Sequence, residues 1–102
     1  IRLSFFGHTH KPMVFTRLPG KPVKTFEPGQ DLLIAPGRRY IVNPGSVGQP
    51  RNGDPRAHYL LFDTEEKHLI FRRVEYDVAS AQERILAAGL PPSLAARLSQ
   101  GL

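Results

Sequence analysis

The sequence contains no cysteine, no tryptophan and a single methionine, Met13. Without thiols there is no disulfide to staple a small core, no thiolate zinc site and no cysteine nucleophile. Any metal must be carried by histidine and carboxylate. Long apolar runs are also missing: stretches such as Leu32-Leu33-Ile34-Ala35 fall far short of the roughly 20 residues needed to span a bilayer. That excludes a transmembrane helix. No charged segment followed by an apolar run and a small-residue cleavage site opens the chain, so the expected compartment is the cytoplasm and no membrane partner is expected. The glycines form neither a P-loop nor a dinucleotide fingerprint. No Gly-x-Ser-x-Gly elbow surrounds any serine, which leaves a serine hydrolase without support. Internal repeats and low-complexity segments are absent too.

What is present fits one small folded domain. The chain has 102 residues, 40% of them hydrophobic, enough for a single core but not for two. The 14 Lys and Arg outweigh 9 Asp and Glu for a net charge of +5, which favours anionic partners such as phosphate esters or nucleic acid. The basic residues are scattered and form no dense block or basic helix, as expected of a solvated surface. The chain opens on Ile1 without an initiator methionine and runs straight into Arg2-Leu3-Ser4-Phe5-Phe6, which reads as a buried strand with no lead-in. An upstream segment is therefore expected.

Residues 13–17 form a second strand candidate, followed by a Pro19-Gly20 turn and a turn-rich stretch over 21–30. Short strands are expected near Leu32–Ala35 and Tyr40–Val42, then a long loop from Asn43 to Pro55 rich in Pro, Gly and Asn. Residues 57–63 and 68–76 give the clearest pair, a hairpin closed by Thr64-Glu65-Glu66-Lys67. The consecutive apolar residues Tyr59-Leu60-Leu61-Phe62 predict a strand covered on both faces. From Asp77 the period becomes helical through Val78, Ala81, Ile85 and Leu86, with Asp77 as cap and Gly89 as terminator. Pro91-Pro92 restarts the chain into a short second helix through Leu94 and Leu98, which Gly101 closes.

The chemistry concentrates at Gly7-His8-Thr9-His10. Two histidines at i and i+2 point the same way if the backbone stays extended, so both rings would face one small volume. Neutral imidazole is a good ligand for Mn, Fe, Ni and Zn. Gly7 offers freedom to turn sharply, and the Thr9 hydroxyl could tie the turn down. On the residues alone the pair reads either as ligands or as ordinary turn residues.

Phe6-Gly7-His8-Thr9-His10, followed by Asn43-Pro44-Gly45-Ser46-Val47-Gly48-Gln49-Pro50-Arg51, closely resembles the closing motifs of the calcineurin-like metallophosphoesterases. The closest branch is the compact bacterial and archaeal phosphodiesterases labelled diadenosine tetraphosphatase-like. The tail from Tyr76-Asp77 through Ala88-Gly89-Leu90-Pro91, with Leu94-Ala95-Ala96-Arg97-Leu98, is similar to that branch, and the resemblance covers essentially all of the chain. It implies an α/β (α+β) fold: the C-terminal part of a four-layer αββα sandwich, here mostly β-strands followed by two C-terminal helices. Residues 1–102 would form the C-terminal portion of one metallophosphoesterase domain, with 1–76 strand-rich and 77–102 a helical tail.

The resemblance further implies two divalent transition metal ions (Mn, Fe, Ni or Zn), with His8 on one and His10 on the other. The reaction implied is hydrolysis of a phosphodiester or nucleotide-like phosphate ester by a metal-bound hydroxide at a dinuclear site. The family's other ligand motifs, an Asp-x-His, a Gly-Asp, a Gly-Asn-His and a further lone His, lie upstream of Gly-His-x-His and none occurs here. The segment alone is therefore expected to be inactive, its partners being an upstream segment with the remaining ligands and a phosphate-ester substrate. Nucleic acid enters only as a substrate. Asn43, Ser46 and Arg51 are candidates for a loop on the substrate side; read as residues alone, Asn43 to Ser46 is a turn with Gly45 at positive φ. Arg51 and Arg56 could each fork onto a phosphate or sit as exposed loop charges, and His58 and His68 read as structural. Two other readings predict no metal-dependent turnover: a non-catalytic phosphate-binding or scaffold protein of the same fold, and a basic nucleic-acid-binding β domain.

Overall fold

A computed structural model describes residues 2–29 and 31–102. The described residues form seven strands, β1 (Leu3–Phe5), β2 (Met13–Arg17), β3 (Lys24–Phe26), β4 (Asp31–Leu33), β5 (Arg39–Asn43), β6 (Ala57–Asp63) and β7 (His68–Val74), then helices α1 (Val78–Ala87) and α2 (Pro92–Ala96) and a 3₁₀ turn Arg97–Ser99. One sheet has the order β1-β5-β2-β3 and the other β4-β7-β6. β1 runs parallel to β5, while the remaining pairs are antiparallel. A mixed α/β chain of two sheets and two C-terminal helices is what the family resemblance implies.

The two sheets face each other across one core. Alternation along β2 and β5 turns Val14, Tyr40 and Val42 inward, and alternation along β7 turns Leu69 and Phe71 to meet them. Leu3, Leu32, Ile34 and Leu60 pack around this cluster, and the rings of Phe5 and Phe62 approach to 6.1 Å between centroids. Val14, Val42 and Leu69 are wholly buried, each contributing about 2 kcal/mol of transfer free energy.

The β6–β7 hairpin closes as the sequence predicts. Asp63 Oδ1 accepts from the N–H of Glu65 and of Glu66, and Lys67 takes positive φ. Helix α1 is capped by Asp77, whose carboxylate accepts from Ser80 N at 3.0 Å. Gly89 and Gly101, both at positive φ, end the two helical segments. Gln82 Nε2 donates to the Ala95 carbonyl and joins α1 to α2.

Among the strands, the structure departs from the sequence reading in three places. β3 lies inside the stretch read as turns; all three of its residues are exposed, so no apolar alternation marks it, and only pairing with β2 makes it a strand. β1 is an edge strand, not a buried one, and Phe5 is 47% exposed. The run 59–62 is covered on one face only: Tyr59 and Leu61 point away from the core and are 38% and 46% exposed. No element among the described residues packs on that outer face. The helical tail instead docks at one end, through Gly53 N–H to the Gly101 carbonyl at 2.8 Å.

Candidate functional site

The segment leaving β1 turns sharply at its histidines. Thr9 N–H donates to the Gly7 carbonyl, closing a three-residue γ-type turn on His8, whose φ is +80°. His10 also takes positive φ, +61°. The extended backbone expected for His-x-His is therefore not what forms. Gly7 does not take the left-handed conformation; both histidines do, at about 1–3 kcal/mol for each non-glycine residue held there. Such geometry persists only where neighbours over-determine it.

Those neighbours come from the β5–β6 loop. Asn43, at the end of β5 and 0% exposed, donates from Nδ2 to the Gly7 carbonyl at 3.2 Å and to Thr9 Oγ1 at 2.8 Å. Its Oδ1 accepts from Gly45 N–H at 2.9 Å. Thr9 thus does tie the turn down, and Asn43 is its partner. Farther along the loop, His10 Nδ1 lies 2.8 Å from the Gln49 carbonyl. A carbonyl oxygen can only accept, so Nδ1 carries a proton, and the neutral tautomer with this bond has its lone pair on Nε2. Arg51 N–H closes the circuit on the His10 carbonyl at 3.2 Å.

The loop candidates separate by their contacts. Asn43 has its amide committed internally, against the histidine turn. Ser46 is half-buried and spent on the loop itself: its hydroxyl accepts from Gln49 N–H and its carbonyl from His58 N–H. Arg51 is half-buried, with one guanidinium nitrogen donating to Gln49 Oε1 and a buried Nε that has no partner. His8 is exposed and His10 half-buried. Gln49 was invisible to sequence reasoning because it acts through its backbone carbonyl, which no residue type announces.

Asp54 anchors the far end of the loop. It accepts from Arg56 at 2.7 to 3.2 Å and from Arg73 at 3.2 Å. The Arg56 hydrogen bonds hold its carboxyl well below the usual carboxylate range, against the opposing pull of partial burial. Arg56 is thus occupied by a carboxylate. His58 lies 3.9 Å from Asp54 and near Asn52, but burial pushes its pKa down, so it is neutral at pH 7 and forms no ion pair. Its side chain packs so close to Gly45 that a Cβ there would lie 2.9 Å from His58 Cβ. His68 approaches Asp31 at 3.5 Å on the outer face. A cavity of about 560 Å³, lined by Asp31, Arg56, Arg72 and Arg73 among others, shares no residue with the histidine turn.

A model of the calcineurin-like phosphoesterase superfamily domain matches residues 2–67. The chain belongs to the calcineurin-like phosphoesterase superfamily. Members of that superfamily generally use divalent metal ions. The chain is 38% identical to an uncharacterised protein of Methanocaldococcus jannaschii, over 97% of its own length and 39% of the relative's. It superposes on a metallophosphoesterase from Sphaerobacter thermophilus with a TM-score of 0.86 at 42% identity, covering 99% of this chain and 42% of that one. A hypothetical protein from Pyrococcus horikoshii gives a TM-score of 0.64 at 25% identity, with coverage of 99% and 32%. This chain thus spans less than half the length of each of these relatives and neighbours.

Two imidazoles suit a divalent ion in this family, and the Nδ1–H to carbonyl bond is the outer contact that metal-binding histidines use to fix ring and tautomer. The fit is partial. Among the described residues no group of three or more His, Asp or Glu side chains converges on a metal position. No helix of the described residues is long and apolar enough to cross a membrane.

Proposed function

We propose that the intact protein is a metal-dependent phosphoesterase acting on a phosphodiester or nucleotide-like phosphate ester, with His8 and His10 each a ligand to one of two divalent ions. The observation that carries this reading is the His10 ring, locked through Nδ1 to the Gln49 carbonyl so that Nε2 is offered as a lone-pair donor. The strained turn that presents both rings supports it, since backbone strain of this kind collects at functional sites. So does the Sphaerobacter neighbour, a metallophosphoesterase.

Divalent ions held there would supply Lewis acidity to the phosphate oxygens and bring the pKa of an attacking water toward neutrality. The chain's own part is to hold two imidazoles in place and to present positive charge nearby. Arg51 suits the second task, because its backbone is fixed to His10 and its guanidinium has donors beyond the one given to Gln49. The remaining ligands would come from a further segment of the protein, as the greater length of the relatives allows. That segment would also cover the exposed apolar side chains on the outer faces, Ile41 from one sheet and Tyr59 and Leu61 from the other.

The test is hydrolysis of bis(p-nitrophenyl) phosphate by the intact protein with added Mn²⁺. Turnover should appear with the metal and vanish with chelator. Undiminished turnover after chelation would refute the proposal, and no turnover with any of Mn²⁺, Fe²⁺, Ni²⁺ or Zn²⁺ would favour a non-catalytic phosphate-binding protein.

A further inference from the structure

We propose that Asn43 is a positioning residue: its buried amide reaches no substrate but clasps the turn from which His8 projects. The proposal rests on the reading of His8 and His10 as ligands. One Nδ2 hydrogen lands on the Gly7 carbonyl, the backbone group just before His8, and the other on Thr9 Oγ1 just after it. His8, with φ +80°, is thereby gripped on both sides. His10 is held separately, by the Gln49 carbonyl and by Arg51 N–H. Each histidine thus has its own clamp, and both clamps grow from the loop that follows β5.

The chemistry asks for a carboxamide. Gly45 N–H, a donor, faces one end of the side chain and fixes it as the oxygen; the Gly7 carbonyl, an acceptor, faces the other and fixes it as the nitrogen. An aspartate would set a carboxylate against the Gly7 carbonyl, and a leucine would leave buried groups unpaired. Asn43 is also wholly buried, which removes it from any ligand lying on the surface of the turn. Apart from the Thr9 N–H to Gly7 carbonyl bond that closes the turn itself, the clasp is the hydrogen-bonded support of His8 among the described residues, so its loss should let the turn relax and move one ligand away from the other.

The clasp can be broken from its exposed end, at Thr9, without disturbing the core. In the intact protein, with Co²⁺ as the probe, affinity is measured by competition against a chelator and ligand geometry by the visible d–d absorption. Thr9→Val should weaken Co²⁺ binding by roughly 10- to 100-fold, the usual cost of losing an outer-shell partner, and should alter the spectrum. Thr9→Ser, which keeps the acceptor, should restore both. Asn43→Asp should fall at least as far as Thr9→Val. Wild-type affinity and spectrum in Thr9→Val, with binding reduced in His10→Ala, would overturn the positioning role alone. Wild-type binding in His10→Ala would overturn the ligand reading and this proposal with it.

Discussion

His8 and His10 occupy a conformation that glycine would adopt freely. The arrangement trades stability for the position of two rings, and the trade can be measured. His8→Gly should stabilise the metal-free protein by about 1 kcal/mol, by relieving the left-handed strain, while weakening metal binding. Denaturant melts with and without Co²⁺ check both halves, and a loss of metal-free stability would count against strain at this turn. The histidine pair was legible in the sequence, but its backbone was not. Gly7 looked like the pivot because glycine is the residue type that turns easily, whereas the pivot is set by where Asn43 and Gln49 hold the chain.

His58 shows a second residue-scale consequence. Burial pushes its pKa below the ordinary value of 6.5, so the folded state prefers the neutral ring and the unfolded state takes up the proton more readily. Its contribution to stability is therefore complete above about pH 6.5 and declines as pH falls below it, by at most about 1.4 kcal/mol per pH unit. Stability measured from pH 7.5 to 5.5 should drop, and His58→Gln should flatten the slope. An equal slope in the variant would contradict this origin. The Asp54 carboxyl, held low by Arg56, adds stability that is present above the unfolded carboxylate pKa and is lost only at stronger acidity.

At the scale of elements, the strands and helices that carry a strong period were readable. The β6–β7 hairpin and α1 with its Asp77 cap follow the sequence reading because local signals and tertiary packing agree there. β3 carries no such signal: Lys24-Thr25-Phe26 is an edge strand whose only reason to be extended is its neighbour. The long loop from Asn43 to Pro55 was recognised as irregular, but its work of tying β1, β6 and the tail together depends on contacts between residues far apart in the chain. Gly101 illustrates this. A Cβ at this position would lie 2.6 Å from Asp54 N, against backbone that cannot yield, and its φ is +67°. Gly101→Ala should therefore cost about 2–3 kcal/mol by undocking the tail from the loop, seen as a lower unfolding midpoint with metal affinity nearly unchanged. A neutral substitution would mean that the tail does not lean on residues 53 and 54.

As a whole molecule the chain is extended, 50 × 26 × 20 Å with a radius of gyration of 16.1 Å, against about 13 Å for a compact domain of this length. Its core lies between the sheets, while apolar side chains remain exposed on their outer faces and edges, Phe5, Ile41, Tyr59, Leu61 and Val74 among them. Sequence reasoning anticipated both faces of 59–62 as covered because consecutive apolar residues imply two buried surfaces. The described residues supply one of those surfaces. At the histidine turn, likewise, no group of three or more potential ligand side chains converges among the described residues. Both observations are consistent with the proposal that a further segment of the protein completes the site and covers these faces.

The central claim, one imidazole for each of two ions, is tested most directly by metal stoichiometry. Elemental analysis of the intact protein, dialysed after loading with Mn²⁺, should find two ions per chain in the wild type. His8→Ala and His10→Ala should each retain about one, and the double variant neither. Two tightly held ions in either single variant would contradict the account.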